Sequence, residues 1–195
     1  MRKIAITLAA ASTLLLSGCL FPEKFKARVD VNPDASYQVK FDGTVAHVAA
    51  VMKMVSSKSP LTDKDDVQMR QEVDKMSKAK GAKKVSYIGN GRFKLEVDDS
   101  RPAGASMNLF DVFSISTDKQ GIMTFTSPPF TEKDRKELSK LGLSIDGTLE
   151  ITLPKNAEVI SSNATSTPKL FGLFGTYGWK IGDIQTRPVM KVRFK

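Results

Sequence analysis

The chain has 195 residues, a formal net charge of +9, one cysteine and one histidine. So few thiol and imidazole groups exclude an intrachain disulfide and leave too few ligands for a zinc site. The positive charge favours an anionic surface or ligand, although the charges are scattered, as they also are on a basic surface that has no specific partner.

The N-terminus predicts a bacterial lipoprotein signal. Two cationic residues precede an apolar run that is too short for a comfortable membrane span. The run ends in the lipobox residues Leu16, Ser17 and Gly18, directly before Cys19. We expect Cys19 to be acylated, for example with palmitate, and to become the mature N-terminus. The alternative is an ordinary secretory signal in which the cysteine is incidental.

These features predict a signal peptide over residues 1–18, a lipidated tether over 19–23 and a single α+β envelope domain over 24–195. Loss of the two signal cations lowers the net charge from +9 to +7. Leu20 follows the cysteine, so the aspartate that retains lipoproteins in the inner membrane is absent at this position. We therefore expect the outer membrane, facing the periplasm, if the host is diderm. Because the signal removes the protein from the cytoplasm, we expect no nucleic-acid partner.

The first part of the domain predicts a hairpin and two helices. Apolar and charged residues alternate from Lys24 to Val31 and again from Tyr37, the period-two pattern of half-buried strands. The period then becomes helical, with an apolar stripe at Val48, Val51, Met52 and Val55. Thr62 or Asp63 can cap a second, largely exposed helix, whose narrow apolar face comprises Met69, Val73 and Met76.

The remaining chain predicts mostly hairpins. Residues 84–88 and 92–97 flank a Gly-Asn-Gly turn, and residues 107–117 and 122–126 flank a second turn. Thr131 can cap a third helix that ends before Gly142. Further strands are predicted at 149–153, 158–162, 179–181 and 190–194. The fold class is therefore α+β, a mainly antiparallel sheet of hairpins with about three helices packed on it.

Catalytic and metal chemistry have few candidate residues. A serine-hydrolase mechanism would depend on His47, which at a strand–helix junction is more typical of a packing or capping residue. Asp63, Asp65 and Asp66 lack the spacing of a calcium loop and suit a helix N-terminus better. Asp98 and Asp99 are equally unspecific. We expect no enzyme activity, no catalytic residue, no metal and no cofactor.

A glycine-rich aromatic segment over residues 170–179 is the most unusual stretch of the chain. Its glycines do not match a nucleotide-binding fingerprint. Phe171, Leu173 and Phe174 are candidate lipid contacts, since exposed apolar and aromatic side chains favour a membrane interface. The alternative is a glycine-bent hairpin tucked under the sheet. We expect partial burial of the segment, with Tyr177 and Trp179 inside and the Phe171–Phe174 tip more exposed.

The layout resembles that of the LppM-like family of bacterial lipoproteins. The shared points are the lipobox ending at Cys19, strand hairpins through Val29–Phe41, central helices and a C-terminal strand region that contains Ile151–Pro154 and Tyr177–Trp179. The resemblance implies a non-enzymatic envelope domain that binds a lipid or glycolipid, and it supplies no catalytic residues. The sequence thus favours a membrane-anchored binder of an anionic lipid or glycolipid. The alternative is a structural or assembly subunit with an envelope protein as its partner.

Overall fold

The computed structural model describes residues 20–110, 112–128, 131–168, 175–182 and 187–195. The helices in this part of the chain are α1 (Val48–Ser57), α2 (Asp63–Ser77) and α3 (Glu132–Lys140). The strands there are β1 (Leu20–Val31), β2 (Tyr37–His47), β3 (Ala82–Gly89), β4 (Arg92–Arg101), β5 (Met107–Leu109), β6 (Phe113–Thr117), β7 (Met123–Thr126), β8 (Asp146–Thr152), β9 (Ala157–Ser162), β10 (Tyr177–Ile181) and β11 (Val189–Phe194).

The strands form two sheets, and the predicted α+β class is confirmed. The first sheet has the order β10-β8-β1-β2-β4-β3, and the second has the order β5-β6-β7-β11-β9. Neighbouring strands are antiparallel except β1 and β8, which pair in parallel. Four of the nine pairs in the described residues are hairpins of consecutive strands, namely β1–β2, β3–β4, β5–β6 and β6–β7. The parallel pair joins the first strand to one that follows the third helix.

The core lies between the facing sides of the two sheets. The inward side of the first sheet includes Val29, Val39 and Val45, all completely buried, while the lysines and arginines of β1 and β2 lie on the other side. The second sheet contributes buried apolar side chains from β6, β7 and β11. Around Phe25, Phe41 and Phe113, a void of only about 30 Å³ remains between the sheets.

Local hydrogen bonds explain where the helices begin. His47 is the N-cap of α1, since its Nδ1 accepts the Ala50 N–H at 3.2 Å, and this confirms its predicted capping role. Thr62 and Thr131 each form a capping box with an aspartate three residues on. In the first box, the Lys53 hydrogen bond and those from Thr62 lower the pKa of Asp65 to about 2.

The structure corrects the predicted start of β1 and the predicted strand over 107–117. Residues 20–23, assigned to a tether, form the start of β1, because Leu20 and Phe21 are buried and pair with the end of β2. The predicted strand over 107–117 is instead the short β5–β6 hairpin. Its chain reverses near Phe110, whose positive φ of 52° is incompatible with a continuous strand.

The apolar stripe of α1 is also oriented differently from the prediction. The buried residues are Ala50 and Val51, whereas Met52 and Val55 are 50% and 44% exposed. The orientation of α1 about its axis places Ala50 against the β3–β4 turn. The packing is so close that a Cβ on Gly91 would lie only 2.8 Å from the Ala50 Cβ. Helical period alone cannot reveal such a contact, because the turn lies forty residues further along the chain.

Candidate ligand cavity

An apolar cavity of about 580 Å³ lies between the two sheets at their β3–β4 and β5–β6 ends. Ligand pockets commonly have volumes of about 300–1,000 Å³, so the space suits a small molecule or an acyl chain. One wall is formed by β3 and β4, the other by β5 and β6, and the end of α2 closes a third side.

The lining is mostly apolar because the inward-facing positions of these strands are apolar. Val85, Leu95 and Val97 line the first wall, and Met107, Leu109 and Ile115 line the second. Met76 contributes from α2, and Leu20 from the first residue of β1. A surface of this composition favours an apolar ligand through removal of its hydrocarbon area from water.

The lining of the cavity follows β4. Leu95, Val97, Asp99 and Arg101 are alternate residues of this strand, and all four line the cavity. Six residues separate the first of these positions from the last, which is about 20 Å of strand. An extended chain laid along β4 matches this row of positions.

A charged cluster lines the cavity at the Arg101 end. The Asp99 side chain is only 3% exposed, and Nε and Nη2 of Arg101 both lie 2.6 Å from its Oδ2. The Nζ of Lys80 lies 3.9 Å from the other carboxylate oxygen, on a side chain that is 68% exposed. Two cations therefore face one carboxylate, which leaves one positive charge in excess at this end of the cavity.

Backbone geometry brings these charges together. Gly81 follows α2 with a positive φ of 83°, and its carbonyl accepts the Asp98 N–H at 2.7 Å. A Cβ on Gly81 would lie 2.6 Å from the Asp99 Cβ, so only glycine allows this close approach. Beside the cluster, burial raises the pKa of Tyr37 to about 12, and its hydroxyl donates to the Ala105 carbonyl at 2.8 Å.

The residues predicted to contact or carry lipid lie outside the described residues. This holds for Cys19 with the lipobox residues Leu16, Ser17 and Gly18, and for Phe171, Leu173 and Phe174. Of the aromatic side chains at the end of that segment, Trp179 is buried, as predicted, and Tyr177 is half-buried. The Trp179 indole N–H donates to Oδ1 of Asn163 at 2.9 Å.

Asp63, Asp65 and Asp66 lie in the first turn of α2, as predicted. Asp65 completes the capping box, whereas Asp66 accepts a hydrogen bond from the Tyr87 hydroxyl of β3 at 2.5 Å. Across the described residues, no group of three or more histidine, cysteine, aspartate or glutamate residues is arranged to hold a metal ion. Within the same residues, no helix is long and apolar enough to span a membrane.

The sequence interpretation missed Asp99. It placed Asp98 and Asp99 before a loop, whereas both lie within β4. A signal was present, because Asp99 and Arg101 continue the period-two series of Phe93, Leu95 and Val97 and so fall on the same inward side. A carboxylate and a guanidinium at successive inward positions predict a buried ion pair.

Comparison with known proteins finds similarity among solved structures. No family model and no curated protein matches the chain. Among solved structures, the chain is similar to the NMR structure of the folded domain of Mycobacterium tuberculosis LppM, with 14% identity, 90% of this chain and 93% of that chain covered, and a TM-score of 0.37. A similarity with this identity and this TM-score supports no statement about the function of the chain.

Proposed function

We propose that the protein is a lipid-anchored, non-enzymatic binding protein of the cell envelope, whose cavity holds the apolar part of an envelope lipid or glycolipid. The observation that carries the proposal is the apolar cavity along β4, which has one excess positive charge at its Arg101 end. An amphiphile with an anionic headgroup matches this arrangement, with its chain along β4 and its headgroup near Lys80.

The lipobox supports the location. Acylation of Cys19 would attach the protein to a membrane, and in a diderm host we infer the outer membrane, facing the periplasm. Replacement of Cys19 by serine should leave an unprocessed precursor that is lost from the membrane fraction. Normal processing and membrane attachment of the Cys19→Ser variant would contradict the anchor.

The cavity is tested by filling it. Val85 lines the cavity from β3, and Ser86 faces the other side of the same strand. Tryptophan at position 85 should occupy the space and abolish binding of a fluorescent acyl-chain phospholipid, whereas Ser86→Trp should bind like the wild type. Equal binding by both variants, with similar melting temperatures, would show that lipid does not enter this cavity.

The charge preference has its own test. The Lys80 side chain is largely exposed, so Lys80→Gln should fold normally. Loss of one partly solvated attraction of about 1 kcal/mol should weaken binding of an anionic phospholipid about fivefold. Binding of a zwitterionic phospholipid with the same acyl chains should not change. An equal loss of affinity for both lipids would contradict a headgroup position near Lys80. It would not contradict binding of the acyl chain in the cavity.

A second candidate function is that of a structural or assembly subunit of an envelope complex. The observation in its favour is β9, an edge strand of the second sheet that is mostly exposed and carries Ile160 at 43% exposure. An exposed edge can pair with a strand of another protein. Cross-linking from position 160 in cells should then capture one protein reproducibly, and Ile160→Lys should abolish the product.

A further inference from the structure

The anchor joins the fold without an intervening tether. β1 begins at Leu20, the residue that follows Cys19 directly in the sequence. Leu20 pairs with His47, which is the N-cap of α1. An acyl group on Cys19 would therefore hold the start of α1 close to the membrane surface. This inference rests on the proposed acylation of Cys19 and is independent of what fills the cavity.

The first helix lies at the end of the first sheet where β1 begins at Leu20. The His47 N–H donates to the Gly91 carbonyl at 2.7 Å, and Ala50 lies against the same glycine in the β3–β4 turn. Leu20 at the start of β1, His47 at the end of β2 and Arg92 at the start of β4 lie together there, since Ala46 pairs with both Phe21 and Arg92. The N-terminal half of α1 thus packs at the end of the sheet that the anchor would hold at the bilayer.

The solvent side of α1 carries one cation and is otherwise uncharged. Its exposed residues are Ala49, Met52, Lys53, Val55, Ser56 and Ser57. Met52 and Val55 are two of the few large apolar residues that are exposed in the described chain. The Nζ of Lys53 lies 2.6 Å from Oδ1 of Asp65, so this charge is paired. By contrast, most residues of α3 are charged, as is typical of a solvent-facing helix.

We propose that the exposed face of α1 docks on the bilayer to which Cys19 is anchored. Met52 and Val55 enter the boundary between headgroups and acyl chains, while the exposed Lys58 just beyond the helix meets anionic headgroups. The bilayer is the occupant because the anchor residue precedes Leu20 directly and Leu20 pairs with the cap of this helix. The single anchor and the helix face together fix the orientation of the domain.

The experiment measures the depth of single labelled positions in the acylated full-length protein. Cys19 is the only cysteine, and a thioether to diacylglycerol consumes its thiol, so an introduced cysteine is the single reactive site. An environment-sensitive fluorophore is attached at Met52→Cys and, as the control, at Asp34→Cys in the β1–β2 turn. The control lies beyond the far end of the twelve-residue β1, about 40 Å of strand away.

Both proteins are reconstituted in vesicles of phosphatidylethanolamine and phosphatidylglycerol that contain a lipid-borne quencher. We expect several-fold stronger quenching and a blue-shifted emission at position 52 relative to position 34. Replacement of Val55 by glutamate in the Met52→Cys protein should reduce that quenching, while the protein still floats with the vesicles.

Three results would overturn the docking. Flotation with equally weak quenching at both positions rejects the helix contact and leaves the anchor intact. Failure of the protein to float rejects the anchor itself, and with it the inference. The emission at position 52 could also stay blue-shifted in detergent at high protein concentration, where no bilayer is present. Together with a dimeric mass, this result would assign the helix face to a contact with a second copy of the chain. None of these results bears on lipid binding in the cavity, which the Val85→Trp variant tests separately.

Discussion

The Asp99–Arg101 pair gives the sharpest stability prediction. Arg101→Met removes the guanidinium and leaves a carboxylate that is 3% exposed; the remaining cation beside it in the described residues is Lys80, at 3.9 Å. Because the Lys80 side chain is 68% exposed, solvent screens most of its attraction, and an exposed pair is worth about 0–1 kcal/mol. Removal of one partner of a buried pair typically costs about 3–5 kcal/mol. We therefore expect Arg101→Met to lower the free energy of unfolding by about 3–5 kcal/mol.

Urea unfolding measures the effect, and Trp179 is a convenient probe because it is the only tryptophan and is buried. The double variant Asp99→Leu/Arg101→Met carries no buried charge at this site and should recover most of the loss. Lys80→Met should cost less than about 1 kcal/mol. A loss below about 1 kcal/mol for Arg101→Met, or a double variant less stable than the single one, would refute the assignment of a buried ion pair.

Two further predictions concern local geometry. The pKa of Asp65 is about 2 in the folded protein, below the unfolded value of about 4, so its carboxylate stabilises the fold above pH 4 and this contribution is lost as the pH falls toward 2. The melting temperature of the wild type should thus fall more steeply over this range than that of Asp65→Asn, and parallel curves would contradict the role of Lys53 and the capping box. A Cβ on Gly147 would lie 2.5 Å from the Phe25 ring, so Gly147→Ala should destabilise by about 1–3 kcal/mol and Phe25→Leu should partly relieve it. A melt of Gly147→Ala indistinguishable from that of the wild type would contradict the close contact.

Local chemistry made much of the fold predictable. Thr62 and Thr131 cap helices through an aspartate three residues later, and this spacing is visible in the sequence. Asn90 and Gly91 both have positive φ, as the predicted tight turn between β3 and β4 requires. These features depend on residues within one turn of each other, so no knowledge of the tertiary structure is needed.

The candidate site was much less predictable, since its parts are distant in sequence. The cavity needs β3–β4, β5–β6 and the end of α2 to meet, and nothing in any one of these segments indicates the others. Asp99 and Arg101 could have been assigned to the inward side from their alternation with Val97. Their partnership with Lys80 depends on Gly81 bringing the end of α2 against β4.

The sequence by itself determined the helix caps, the hairpin turns, the alternation of the strands and the lipobox pattern at Cys19. Tertiary structure alone decided that β8 pairs in parallel with β1, that β1 begins directly at Leu20, and that α1 is rotated to expose Met52. The physical reason is that periodicity specifies which side of an element is apolar but not what covers it. That choice depends on long-range contacts, such as that between Ala50 and Gly91, which form only when the whole chain folds.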